Sequence, residues 1–79
     1  MSIKIVGSKC KNGNNLLKSV TKAIEESKVD TSLELVDKEN NKYGINNYPG
    51  LIINECVISQ GKVWSTREIK KFILLSSSN

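Results

Sequence analysis

A cysteine between two lysines is the feature of this chain with the clearest chemistry. Cys10 stands between Lys9 and Lys11, shortly before an amphipathic segment that starts at Leu16. Lysine ammonium groups and the free N–H groups of a helix start both favour the thiolate form of a cysteine. The thiolate is the nucleophile of thiol–disulfide exchange. The local sequence therefore predicts a reactive thiol at position 10, although a cysteine in an average context packs as a small apolar side chain.

Composition excludes most other chemistries. The 79 residues contain no histidine, which excludes Ser-His-Asp and Cys-His catalysis and imidazole metal ligands. The carboxylates never cluster, so we expect neither a metal site nor a resident cofactor. Two cysteines are too few for a secreted disulfide scaffold, and no targeting segment or membrane span is visible in the sequence. These observations favour a reducing, cytoplasmic location.

The positive charge is weak support for nucleic-acid binding. The net charge of +4 comes from twelve Lys and Arg residues against eight acidic ones. The lysines are spread along the chain, and Arg67 is the single arginine. Nucleic-acid-binding surfaces favour arginine and interleave it with aromatic side chains. We therefore expect no nucleic-acid or membrane partner, and only a mild attraction for acidic molecules.

Hydrophobic patterning predicts one small domain over residues 1–79. Residues 3–6 alternate as a strand, and a polar loop is expected over 7–15. The apolar stripe over 16–24 is typical of an amphipathic helix, and 32–36 alternate again as a second strand. Two asparagines are candidates for the cap of the first helix: Asn12 and Asn14.

The second half of the chain predicts a short helix, a hairpin and a final helix. The polar stretch 37–44 favours a short helix, and two apolar runs within 51–60 favour an antiparallel hairpin. A capping box at Ser65 opens the last helix, and residues 76–79 are expected to fray. The order β-α-β-α-β-β-α predicts an α/β fold with a four-stranded mixed sheet and helices on both faces.

Three features carry a family resemblance. They are Cys10 at a strand–helix junction, the Tyr-Gly-Ile-x-x-x-Pro string that ends at Pro49, and Gly61 before the last helix. With these features nearly the whole chain resembles the thioredoxin-like superfamily, above all its small archaeal and bacterial thioredoxin/glutaredoxin-like members. The resemblance implies a thioredoxin-like fold, a cis bond before Pro49, and a Tyr48 backbone that faces Cys10 and pairs with an extended substrate.

One position departs from the family pattern. The resemblance places a Cys-x-x-Cys motif at positions 10–13, and position 13 is Gly13. The attacking cysteine is present and the resolving one is absent, so Cys10 alone can perform only the first half of a dithiol exchange. We therefore expect a monothiol oxidoreductase released by glutathione or another small thiol. The alternative is a redox-inactive interaction module. Restoring the second cysteine with Gly13→Cys is expected to create a disulfide.

The resemblance also implies which residues surround the catalytic Cys10. Substrate-binding roles are expected for Lys11, Tyr48 and Pro49, and supporting roles for Lys9, Asn12, Gly13 and Gly61. Cys56 is expected one strand length away from Cys10, roughly 10 to 20 Å, which exceeds the ~7 Å Cα separation of a disulfide. Expected partners are a disulfide-bearing protein or a small thiol. We expect a monomer, or a dimer linked through Cys10 on oxidation.

Overall fold

The computed structural model describes residues 1–77 and contains one mixed four-stranded sheet. Its elements are β1 (Ser2–Val6), α1 (Lys11–Ser27), β2 (Ser32–Val36), a 3-10 turn (Lys38–Asn40), β3 (Gly50–Ile53), β4 (Cys56–Gln60) and α2 (Thr66–Ser77). The strand order is β2-β1-β3-β4, with β1 parallel to β2 and antiparallel to β3. The predicted α/β thioredoxin-like fold is confirmed.

One face of the sheet carries both α-helices. Strand residues alternate between faces, and Ile3 and Ile5 of β1 point to the same side as Leu51 and Ile53 of β3. Helices α1 and α2 pack on that side and against each other. The shared core is wholly aliphatic: Ile3, Ile5, Leu16, Val20, Ala23, Leu51, Ile53, Ile69 and Ile73.

The opposite face is covered by irregular chain. Ile45 is 2% exposed and packs on Val6 of β1 and Ile52 of β3. Within residues 37–44, where the sequence predicted a helix, there is a 3-10 turn of three residues. The Asn41 side chain organises this segment instead, since it accepts from the backbone N–H of Ile45 at 3.3 Å and donates to its carbonyl at 2.8 Å. Among residues 1–77, α-helices therefore lie on one face rather than on both.

The first helix starts earlier than the sequence predicted. Helix α1 begins at Lys11 with Cys10 as its N-cap, so residues 11–15 are helical rather than part of a loop. The asparagines at 12 and 14 lie inside the first turn and do not cap it. The prediction was late for two reasons. A cysteine is a weak cap, and the Gly and Asn residues that follow it are types that favour loops.

The second half of the chain follows its local sequence signals. The hairpin turns at Asn54 and Glu55, which have φ values of 51° and 67°, as a two-residue type I′ turn requires. The capping box is confirmed, since Ser65 Oγ accepts from the N–H of Glu68 at 3.2 Å and Glu68 Oε1 accepts from the N–H of Ser65 at 3.3 Å. Of the predicted frayed tail, residues 76 and 77 are helical, and 78–79 lie outside the described residues. No helix in 1–77 has the length and apolarity to cross a membrane.

Candidate active site

Cys10 caps the first turn of α1 through its own sulfur. The Gly13 N–H donates to Cys10 Sγ at 3.3 Å, and the thiol can donate to the Gly7 carbonyl at 3.5 Å. The Cys10 carbonyl already accepts the first helical hydrogen bond, from Asn14 N–H at 2.8 Å. The side chain is half-buried and forms no disulfide. The geometry thus places a free thiol where helix N–H groups converge.

Gly7 joins the parts of this site. Its N–H donates to the Val36 carbonyl at 3.0 Å, and its φ of 77° lies in the left-handed region that favours glycine. A Cβ at this position would lie 2.7 Å from Cδ1 of Tyr48. Since the Gly7 carbonyl also contacts Cys10 Sγ, the tyrosine ring and the thiol pack on different atoms of one residue.

Pro49 and Gly61 lie beside this junction at the same end of the sheet. Val6 pairs with Gly50 across β1 and β3, which places Pro49 next to Gly7. The Tyr48–Pro49 peptide bond is cis. The Gly61 N–H donates to the Pro49 carbonyl at 2.8 Å, so Gly61 fixes the start of β3 from the end of β4.

Position 13 has no room for a side chain. Gly13 is buried, and a Cβ there would meet the Gly7 carbonyl oxygen and lie 2.7 Å from Ser8 Cα. These are backbone atoms, which cannot rotate away. A cysteine at this position therefore requires the loop at residues 7–8 to move, which the sequence alone did not indicate.

The charged residues near Cys10 stand at the surface. Lys9 Nζ lies 3.4 Å from Asp37 Oδ1 and is 86% exposed, so its charge is shared with a carboxylate and screened by water. Lys11 and Asn12 are also exposed, on the first turn of α1. A lysine that the sequence did not single out, Lys38, lies 4.7 Å from the centre of the Tyr48 ring.

A family model described as a thioredoxin domain matches residues 1–74. The chain belongs to the thioredoxin family. The match spans both helices up to residue 74 and the whole sheet, including Cys10 and Pro49. No curated protein matches the chain significantly.

A second polar cluster in this thioredoxin domain lies on the sheet face that lacks α-helices. Lys4 Nζ donates to Glu55 Oε1 at 2.6 Å and to the Tyr43 hydroxyl at 2.8 Å, and that hydroxyl donates to Glu55 Oε2 at 2.9 Å. Two hydrogen bonds lower the pKa of Glu55, of which the bond from Lys4 has the larger effect and the bond from Tyr43 the smaller. The hydrogen bonds that Lys4 donates to Glu55 and, with a smaller effect, to Tyr43 hold the pKa of Lys4 above its usual range. Alternation put Lys4 on this face, but nothing in the sequence paired it with a residue 51 positions away.

The second cysteine of the thioredoxin domain lies at the other end of the sheet from Cys10. Cys56 is a free, exposed cysteine paired with Ile53 in the hairpin. Trp64 Nε1 donates to Ser59 Oγ at 2.6 Å, and its ring meets Phe72 edge-on at 5.1 Å, so it packs against α2. Within residues 1–77, no three Cys, Asp or Glu side chains group as metal ligands would.

Proposed function

We propose that this thioredoxin-family chain is a monothiol thiol–disulfide oxidoreductase that uses Cys10 as its nucleophile. The observation that carries the proposal is the position of Cys10 Sγ, which caps α1 and accepts from the Gly13 N–H at 3.3 Å. A helix N-terminus stabilises negative charge, both on the attacking sulfur and in the exchange transition state. The absence of a second cysteine at position 13 makes the route a monothiol one.

The reaction has two balanced exchange steps. The Cys10 thiolate attacks the glutathione sulfur of a mixed disulfide on a protein, a new S–S bond forms, and the protein thiolate leaves. A second glutathione, as its thiolate, then attacks the glutathione sulfur of the Cys10 adduct. Oxidised glutathione and the Cys10 thiolate are released. The net reaction reduces the protein cysteine and oxidises the incoming glutathione, which joins the glutathione of the mixed disulfide as oxidised glutathione.

Tyr48 and Pro49 supply the substrate-binding part of the proposal. The backbone before Pro49 would pair with the substrate strand, beside the Gly7 residue that both Tyr48 and Cys10 contact. The Tyr48 ring offers an apolar surface, and Lys11 and Lys38 offer cations for the carboxylates of a glutathione unit. Gly61, Gly13 and Asn12 support the loop and the helix turn, and Lys9 contributes a screened charge.

The alternative is a redox-inactive interaction module of the same fold. One observation favours it: the Gly7–Ser8 backbone occupies the space next to position 13, so the loop is packed without room for a resolving thiol. Under this alternative the Tyr48–Pro49 end of the sheet binds a partner chain and Cys10 acts as a weak helix cap. Both functions suit a reducing, cytoplasmic compartment, which we include in the proposal.

The two functions differ in the reactivity of Cys10 relative to Cys56. The reduced chain is treated with oxidised glutathione at pH 6.5, quenched with acid, and analysed by intact mass and peptide mapping. Cys56 is the internal control because it is the more exposed thiol. Cys10→Ser and Cys56→Ser variants assign each adduct.

The oxidoreductase proposal expects one adduct, on Cys10, formed at least tenfold faster than on Cys56 and removed by reduced glutathione. It also expects that the wild type, and not Cys10→Ser, catalyses glutathione-dependent reduction of a glutathionylated peptide. Equal or faster modification of Cys56 would show that exposure alone governs thiol reactivity. The interaction module would then be the supported function.

A further inference from the structure

A groove of about 600 Å³ runs between α1 and α2. Its floor is apolar, formed by Val29 after α1 and by Ile73 and Leu74 of α2. Ile73 is 1% exposed and belongs to the core, whereas Leu74 is 69% exposed. The groove therefore offers apolar surface between the two helices.

The walls of this groove are strongly basic. Lys22 of α1 and Arg67, Lys70 and Lys71 of α2 line it, against the single carboxylate of Glu26. The lining thus carries a net charge of +3, most of the +4 of the whole chain. The fold thus brings three of the eleven lysines and the single arginine together where the two helices meet.

Within residues 1–77, three of these cations have no acidic partner at ion-pair distance. Lys70 Nζ lies 3.2 Å from Glu26 Oε1, which joins the two helices across the groove. No ion pair within residues 1–77 includes Lys22, Arg67 or Lys71. Like charges held together repel each other, so an anionic partner would relieve an unfavourable field.

The openness of the groove decides which kind of anion fits. Small-molecule sites bury most of their ligand's surface, but the side chains of Lys22, Glu26, Arg67 and Lys71 are exposed and leave one side open to solvent. A helix laid along two neighbouring helices buries one apolar stripe and keeps its other face in water. An open, two-helix groove with an apolar floor and cationic walls matches such a helix when it carries acidic residues beside its apolar stripe.

We propose that the groove between α1 and α2 binds an acidic amphipathic helix of a partner protein. The apolar stripe of that helix packs on Val29 and Leu74, above the buried Ile73. Its carboxylates pair with Lys22, Arg67 and Lys71, which sets its orientation and speeds its association. The site is independent of Cys10, which lies at the other end of α1.

The test uses the full chain and a synthetic helix as probe. The probe is a fluorescein-labelled peptide of about 14 residues, ~21 Å long as a helix, with leucines along one stripe and glutamates and alanines elsewhere. One control peptide has lysine in place of glutamate, and another has the same composition in scrambled order. Binding is followed by fluorescence anisotropy and by backbone amide shifts in NMR.

The matched variants carry the same change in net charge. Lys22→Glu/Lys71→Glu reverses two groove cations, and Lys18→Glu/Lys42→Glu reverses two exposed lysines outside the groove. We expect the acidic peptide to bind the wild type, with shifts centred on the groove. We expect at least tenfold weaker binding to the groove variant, less than twofold change in the control variant, and weaker binding at high salt.

Several results would overturn the proposal. Absence of binding to the wild type, equal binding of the lysine or scrambled peptide, or equal losses in both variants would each do so. Dodecanoate binding in the groove in place of the peptide would indicate a small amphipathic anion. Self-association that Lys22→Glu/Lys71→Glu abolishes would assign the groove to a second copy. Unchanged peptide affinity in Cys10→Ser is expected and separates this site from the redox proposal.

Discussion

Gly13 shows how a single missing Cβ shapes the candidate site. The backbone of Gly7 and Ser8 packs directly on this residue, and the Gly13 N–H donates to Cys10 Sγ at the helix start. The sequence presented Gly13 as a lost cysteine. The structure presents it as a close approach of two backbone segments, which explains why the Gly13→Cys disulfide requires a rearranged loop.

Gly13→Ala should destabilise the fold by about 1 to 2 kcal/mol. Alanine gains about 1 kcal/mol in helix propensity, but overpacking costs about 1 to 3 kcal/mol. The cost should lie at the upper end, because backbone atoms of Ser8 lie 2.7 and 2.9 Å from the new Cβ. Urea denaturation measures the change. Asn14→Ala, an exposed neighbour on the same turn, is the control; a Gly13→Ala variant more stable than wild type would contradict the packing described.

The Lys4–Tyr43–Glu55 cluster predicts a pH dependence of stability. The pKa of Glu55 is lowered in the folded chain from its ordinary value of 4.5, so ionised Glu55 stabilises the fold above that pH. This contribution is lost as the pH falls below 4.5. Glu55→Gln should therefore lower the urea midpoint at pH 7 and flatten its decrease between pH 5 and 3.

The control for this prediction is Glu25→Gln, which removes an exposed carboxylate of α1. It should leave both the neutral midpoint and the acid slope close to wild type. If Glu55→Gln behaves in the same way, the cluster does not stabilise the fold.

At the scale of elements, the predictions that rest on local sequence signals are confirmed. Alternation located β1 and β2, two positive-φ residues made the β3–β4 turn, and a capping box opened α2. The predictions for two elements were wrong, and each error has a physical reason. The start of α1 depends on a sulfur cap and on a glycine packed against the preceding loop. The segment 37–44 is held by Asn41 and by Ile45 on the sheet. Such tertiary contacts override propensity, and pattern does not reveal them.

The capping box gives the prediction that belongs to α2. Ser65→Ala removes the side-chain acceptor of the Glu68 N–H and should cost about 1 kcal/mol. Thermal or urea denaturation measures it. Ser76→Ala, near the other end of the same helix, should change stability by less than half as much. Similar effects from the two serines would show that the box does not anchor α2.

At the scale of the whole molecule, the two sheet faces are covered unequally. Two helices pack on one face through nine buried aliphatic residues, while Ile45 and two partly buried tyrosines cover the other. The central strands β1 and β3 pair on both edges, and β2 and β4 pair on one. Stability within a domain follows burial and pairing, so the fold should open from the face without α-helices.

Hydrogen exchange tests this expectation. Amides of β1 and β3 that bond across the sheet should exchange slowest, and those of residues 37–47 should exchange first, by at least a hundredfold at neutral pH. NMR or mass spectrometry on the native chain gives the rates, with α1 amides near Val20 as the internal reference for the helical layer. Equal protection of residues 37–47 and β1 would refute the unequal cover.

The length of helix α1 sets the distance between the Cys10 thiol and the basic groove. At ~1.5 Å per residue, the twelve positions from Cys10 to Lys22 correspond to about 18 Å along the helix axis. An extended linker covers this span with roughly five or six residues. Suppose that a partner helix is bound in the groove and that a cysteine follows it after a linker of this length. That cysteine would then be held near Cys10 at a high effective concentration. The spacing of the two ends of one helix would then select which cysteine of a partner is reduced.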